Sequence, residues 1–176
     1  MVGRGSCVQK QLYESKYDCC GCSACYAICP VKAIYFIVDD EGFQYPYVNQ
    51  DMCINCRKCE SVCPLKLKQK DSNPLHIYAA KNKNELIRKN SSSGGIFSLL
   101  ADFIESSGGV IYGAAFDEKY VVKHMRAETA AEWKKFCGSK YVQSDLNDVF
   151  LQIRADLKNG REVLFSGTPC QIDGLK

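Results

Sequence analysis

Eight of the chain's cysteines fall into one phrase written twice. Cys19, Cys22, Cys25 and Cys29 stand at CxxCxxCxxxC and run into Pro30; Cys53, Cys56, Cys59 and Cys63 repeat the spacing and run into Pro64. Thiolates at this spacing are the donors of cubane iron-sulfur clusters: three on a tight loop converge on one cube, and the fourth, a short step on, points at the other. The spacing therefore assigns Cys19, Cys22, Cys25 and Cys63 to one 4Fe-4S cluster and Cys29, Cys53, Cys56 and Cys59 to the second. Structural zinc is the weaker reading, because zinc has no use for a third cysteine three residues on and a fourth before proline. Disulfides are weaker still: they need an oxidising compartment, and cysteines three apart on one loop bridge each other only with strain.

The elements around the two loops must hold them face to face. Val31 to Val38 is apolar and β-branched, Asp39-Asp40-Glu41-Gly42 has turn chemistry, and Phe43 to Val48 is apolar again, which predicts a β-hairpin. Pro46, unable to donate a ladder bond, predicts that the second strand lies at an edge. Asp18 and Asp51 precede the two loops in turn, so the segment reads as an internal repeat. Residues 18–64 resemble a bacterial two-cluster ferredoxin domain. That resemblance implies clusters buried under Tyr35, Phe36, Phe43 and Tyr45, with hydrogen bonds to sulfur setting their potentials. Residues 1–17 read as a polar arm in which Cys7 is a bystander. Residues 65–75 read as a linker ending at Asn73-Pro74, where Lys66, Lys68 and Lys70 suit a solvated crossing or, less simply, an acidic electron donor.

From His76 the pattern alternates. His76 to Ala80 predicts a strand, Asn84 to Lys89 a short helix, and Ser91-Ser92-Ser93-Gly94-Gly95 opens an amphipathic helix ending at Gly108-Gly109. Val110 to Phe116 and Tyr120 to Arg126 predict two strands around Asp117-Glu118-Lys119. Thr129 caps a short helix, Asp145 to Lys158 has helical periodicity, and Glu162 to Phe165 reads as a buried strand. The fold class is α+β: a two-cluster domain followed, over residues 76–176, by an incomplete α/β layered domain, so the chain is expected to be an N-terminal fragment.

Three phrases in this second part carry chemistry. Ser93, Gly94 and Gly95 stand at a helix start, where free N–H groups suit a phosphate, although serine and glycine are also ordinary capping residues. Ser139 and Lys140 lie in GSKY, beside a possible phosphate or on a plain surface loop. Cys170, in GTPCQ after a buried strand, sits at a helix start, a position that lowers a thiol's pKa. SSSGGIFSLLADFI, GSKYVQSDL and VLFSGTPCQIDGLK together resemble the beta-subunit family of coenzyme F(420) hydrogenases and dehydrogenases. The resemblance implies an oxidoreductase that passes electrons between two 4Fe-4S clusters, FAD, and a deazaflavin or other small organic acceptor. It places Ser93, Gly94, Gly95, Ser139 and Lys140 at the flavin. Cys170 would be a catalytic or further ligand residue, with Cys137 nearby. The redox partner it implies is a ferredoxin-like donor or a hydrogenase or dehydrogenase subunit. An electron carrier or wiring module without catalysis of its own, and a cluster-bearing structural or sensing protein, are the competing functions.

Composition bounds these readings. With 46% hydrophobic residues in 176, the chain has enough apolar side chains for a core. A net charge of +3, with lysines scattered among acids, gives no case for nucleic acid. No run approaches the ~20 apolar residues of a bilayer span, so no membrane partner is expected. Eight cluster cysteines favour the cytoplasm of an anaerobic cell. His76 and His124, Asp145 and Asp148 read as ordinary surface, core or capping groups.

Overall fold

A computed structural model describes residues 9–67 and 76–176, and its chain divides into two compact units, Met1–Lys68 with Thr168–Lys176, and Gln69–Gly167. Cys7, Lys68, Lys70 and Asn73-Pro74 lie outside the described residues. The fold class is α+β, small sheets with short helices.

In the first unit, β1 (Gln9–Gln11) is followed by a 3-10 turn at Lys16–Asp18, α1 (Ala24–Ile28), the hairpin β2 (Ile34–Val38) and β3 (Gln44–Asn49), and α2 (Lys58–Ser61). The hairpin forms where alternation and turn residues place it, with Ile34 opposite Val48 and Tyr35 opposite Tyr47. Asp39 closes its turn, accepting from the backbone N–H groups of Glu41 and Phe43 and pairing with Lys16 at 2.5 Å. The expectation that Pro46 marks an edge strand is corrected: the sheet order is β1-β3-β2, so β3 is central. The proline is tolerated because β1 ends opposite Tyr47, one residue short of it, and that side of β3 is open beyond. The arm is corrected too, since part of it is β1. Ala33, Ile34 and Val48 form a small core on which Leu12, Tyr26, Cys25, Cys29, Cys53 and Cys59 pack.

The second unit contains α3 (Glu85–Lys89), α4 (Ile96–Ser106), β4 (Val110–Phe116), β5 (Val122–Ala127), α5 (Ala130–Trp133), α6 (Val149–Lys158) and β6 (Val163–Phe165). Its sheet runs β5-β4-β6, antiparallel on one side of β4 and parallel on the other. Val110 to Gly113 are buried in succession, so both faces of β4 are covered. Ile111 and Ala115 pack with Ala101 of α4 and Trp133 of α5. From the opposite pleat, the Tyr112 hydroxyl donates to Asp156 of α6 at 2.6 Å. Glu105 of α4 accepts from the Trp133 indole at 2.6 Å and from the Ala130 N–H, so one carboxylate caps α5 and seats its tryptophan. His76 to Ala80 is exposed and irregular rather than a strand: among the described residues no neighbouring strand supplies a ladder for it. The predicted helix from Asp145 starts later, at Val149, because Asp145 bridges to β5, donating its N–H to Val122 and accepting from the His124 N–H. After β6 the chain rejoins the first unit as α7 (Pro169–Leu175), so the expected second domain at 76–176 gives up its last nine residues, Thr168–Lys176.

Asp156 also accepts two hydrogen bonds from Arg126, at 2.9 and 3.1 Å, and that guanidinium holds its carboxyl below the usual range. Replacing Asp156 by Ala leaves the buried Tyr112 hydroxyl without its acceptor and Arg126 with Glu128 as its remaining carboxylate, and is expected to cost about 2–3 kcal/mol, read as a fall in denaturant midpoint at unchanged m-value. Because the folded carboxyl is depressed, its stabilisation is complete above roughly pH 4 and is lost as pH falls through the folded value. The D156A variant should lack that acid-dependent component.

Candidate iron-sulfur centre

The two cysteine loops share a backbone conformation as well as a spacing. Gly21 and Asn55, each two residues after the first cysteine, have φ of 65° and 53°; Ser23 and Arg57, each just after the second, have φ of 65° and 57°. These left-handed residues turn successive N–H groups inward, the concave arrangement that suits an anionic group. The Asn55 N–H donates to Cys53 Sγ at 3.4 Å, and the Gly21 N–H donates to Cys19 at the matching place. The Ala33 N–H reaches Cys29 Sγ at 3.3 Å. Each third cysteine lies one residue into a short helix, Cys25 in α1 and Cys59 in α2, and those two helices pack on each other.

The first set converges. Cys19, Cys22, Cys25 and Cys63 line one cavity with Cys20, Cys59, Phe36 and Pro46, so the last cysteine of the second loop shares a cavity with the first three of the other. Burial pushes the Cys25 thiol up to about 12, with the charges of Cys19, Cys59 and Cys63 adding to it, and burial raises Cys19 in the same direction. Cys22 goes the other way, lowered by a hydrogen bond from Cys20. In the second set, Cys29, Cys53 and Cys59 pack on the same Ala33-Ile34-Val48 core, while Cys56 is exposed. All the described cysteines are free thiols. Among the described residues, no three His, Cys, Asp or Glu side chains stand close enough to share a single ion. A cube of four irons accepts its thiolates from further apart. Donors of the right softness, N–H groups aimed at sulfur and an apolar wall thus fit the cluster chemistry.

Sequence reasoning missed part of this wall. Leu12 and Tyr13, read as arm, line the same cavity, and the buried Tyr13 ring lies 5.4 Å from Tyr45 while its hydroxyl donates to Tyr47 at 3.2 Å. Lys66, read as linker, lines it too and donates to the Leu12 carbonyl at 3.3 Å. The expected covering by hairpin aromatics holds for Phe36, whereas Phe43 is 45% exposed. An apolar residue six or seven places before the first cysteine was the available signal.

In the second unit, Ser93, Gly94, Gly95 and Ser139 line one open cavity of about 420 Å³, together with Ser91, Phe97, Cys137 and Ser166. Lys140 is not among the lining residues; its ammonium caps the carbonyls of Lys135 and Cys137 at 2.9 and 3.0 Å. Gly94 has a packing reason of its own, since a Cβ there would stand 2.6 Å from the Ala80 carbonyl oxygen. Cys137 lies 3.8 Å from Ser98 within this unit, whereas Cys170 belongs to the first. The expected lowering of the Cys170 thiol is corrected: burial raises it, Cys20 adds to the rise, and the Thr168 hydroxyl only partly opposes them.

Against this geometry stand the comparisons. Residues 18–67 match the 4Fe-4S dicluster domain, under a third of the chain. No curated protein matches the chain. The first unit is therefore an iron-sulfur domain of ferredoxin type, with an electron-transfer role that implies a redox partner. Among the described residues no helix is long and apolar enough to cross a membrane.

Cys63→Ser should damage the cluster built on the other loop. Reconstituted protein is expected to retain about half the iron of the parent's two cubes, with the loss at the site of Cys19, Cys22 and Cys25 read by Mössbauer and electron paramagnetic resonance spectra. Since burial favours protonated Cys19, Cys25 and Cys59, protons compete with iron there, and cluster absorbance should fall on acidification.

Proposed function

We propose that the chain belongs to an iron-sulfur flavoprotein oxidoreductase of the coenzyme F(420) hydrogenase and dehydrogenase beta-subunit kind, working in the cytoplasm of an anaerobic cell. Cys19, Cys22, Cys25 and Cys63 hold one 4Fe-4S cluster, and Cys29, Cys53, Cys56 and Cys59 hold the other. The cavity of the second unit takes FAD. Clusters of this type move one electron at a time, and a flavin pairs them for delivery to a deazaflavin or another organic acceptor.

One observation carries the flavin reading: Ser93, Gly94 and Gly95 at one end and Ser139 more than forty residues later line the same cavity. Its size is in the range of small-molecule sites. Ile96 and Phe97, the first residues of the eleven-residue α4, also line it, so that helix's unpaired N–H groups and positive dipole end bear on the space. The hydroxyls of Ser93 and Ser139 add donors suited to phosphate, and Phe97 and Phe136 add an apolar surface suited to a ring. Lys140 contributes by shaping the 135–140 turn, through its bonds to two carbonyls, rather than as a phosphate ligand.

Cluster-loaded chain titrated anaerobically with FAD should bind it saturably, seen as quenching of flavin fluorescence. Ser139→Trp, which fills the cavity from an exposed position, should weaken binding about tenfold or more, ~1.4 kcal/mol or above, without loss of iron. A reduced deazaflavin should bleach the clusters only when FAD is present. Intact clusters with no FAD uptake would leave the wiring-module reading, an electron carrier without catalysis of its own.

A further inference from the structure

The second unit holds another cavity, which the flavin reading leaves unused. It has a volume of about 490 Å³ and is lined from α3, α4, α5 and the 3-10 turn Lys134–Phe136. Leu86 and Ile87 give it apolar walls together with Trp133, whose indole N–H donates to Glu105 and so is held in one orientation. Three polar side chains also line it: the amide of Asn90, the carboxylate of Asp102 and the ammonium of Lys134. Among the described residues none of these three has a hydrogen-bond or ion-pair partner, and Asp102 and Lys134 do not pair with each other. Apolar walls, a few unpaired polar groups and a volume of this size are the marks of a small-molecule site.

Its position narrows the ligand. Ser91, Ser98 and Cys137 line both this cavity and the one that contains Ser93 and Ser139, with Cys137 Sγ 3.8 Å from Ser98 Oγ, so the two spaces adjoin along small side chains. Ser98 and Asp102 lie four residues apart on one face of α4, which carries the wall from the shared border outward to the carboxylate. Lys134 is the only cation of the lining and Asp102 the only anion. A ligand that satisfies both has an acid group at one end and an N–H or O–H donor at the other. A second negative charge would face Asp102 and be rejected.

We propose that this cavity binds the organic acceptor, and that the acceptor is a flat, conjugated monoanion with a hydrogen-bond donor at the end away from its charge. Lys134 takes the acid group, Asp102 takes the donor, and the flat body lies against Leu86, Ile87 and Trp133. The role as acceptor rests on the flavin reading, through the shared border; the binding does not.

Trp133 is the only tryptophan of the chain, so its fluorescence reports on this cavity. The test titrates anaerobic, cluster-loaded full chain with 4-(4-aminophenylazo)benzenesulfonate, a flat dye with an acid at one end and an amine at the other. Saturable quenching of Trp133 is expected. Azobenzene-4-sulfonate, which lacks the amine, and 4-aminoazobenzene, which lacks the acid, should each bind about tenfold more weakly. Both charged residues are exposed, so their replacement should leave iron content and melting temperature unchanged. Lys134→Glu should weaken the dyes that carry sulfonate and spare 4-aminoazobenzene; Asp102→Asn should weaken the dyes that carry the amine and spare azobenzene-4-sulfonate. A general loosening of the fold would not produce that crossed pattern. No saturable quenching, equal affinity for the three dyes, indifference to both substitutions, or displacement of bound FAD by the dye would each overturn the proposal. FAD uptake, read separately by flavin fluorescence, tells the two failures apart. Uptake of FAD without dye binding sinks this site alone, whereas the crossed dye pattern without FAD uptake upholds the site and removes its role as an acceptor pocket along with the flavin.

Discussion

Gathering thiols in an apolar pocket works against their own ionisation, and that conflict shapes the first unit. Burial raises Cys19, Cys25 and Cys59, and each neighbouring thiolate would raise the others further. Two things offset it. Backbone N–H groups at Gly21, Ala24 and Asn55 point at sulfur, and cationic iron supplies the larger compensation when it binds. The left-handed residues Ser23 and Arg57 follow from the same demand, because a right-handed residue at either place would turn the next N–H away. A loop built this way is strained as a free segment and relaxed as a cluster cradle.

Much of this was legible because ligand spacing is a local property. Eight cysteines at repeated intervals identify a chemistry whatever the rest of the chain does, and the hairpin between them announces itself through alternation and the Asp39 turn. What was not legible depends on partners distant in sequence. Pro46 sits in a central strand because Gln9–Gln11, with no apolar alternation of its own, adds to β3 only as far as Tyr47. Tyr13 became wall rather than arm for the same reason. Single-strand patterns cannot show which neighbour arrives.

In the second unit the strong signals also came from local pattern: α4, β4 and β5 lie where periodicity places them, within two residues at their ends. The failures have physical causes. His76 to Ala80 has strand-like residues but no ladder, and its carbonyl at Ala80 instead crowds Gly94, with Asn82 donating to the Gly94 carbonyl at 2.7 Å. The glycines of SSSGG are therefore set by close approach of that segment as well as by any ligand. Lys140 shows the converse: a cation beside a supposed phosphate site was satisfied by carbonyls five and three residues earlier in its own turn.

α7 is the element whose meaning changed most. By sequence it closes an α/β layer after β6, and Cys170 reads as a thiol activated by a helix start. By packing it belongs with the cysteine loops, where its helix is seven residues long and burial outweighs whatever its first turn contributes. Gly174 then has a reason that no turn rule supplies, which is to let the helix lie against Cys22 and Ala24. A helix held that close covers the Cys22 sulfur from one side, and burial of a ligand sulfur is among the levers that set a cluster's potential. The end of the described chain is therefore tied to the redox properties of its beginning through packing.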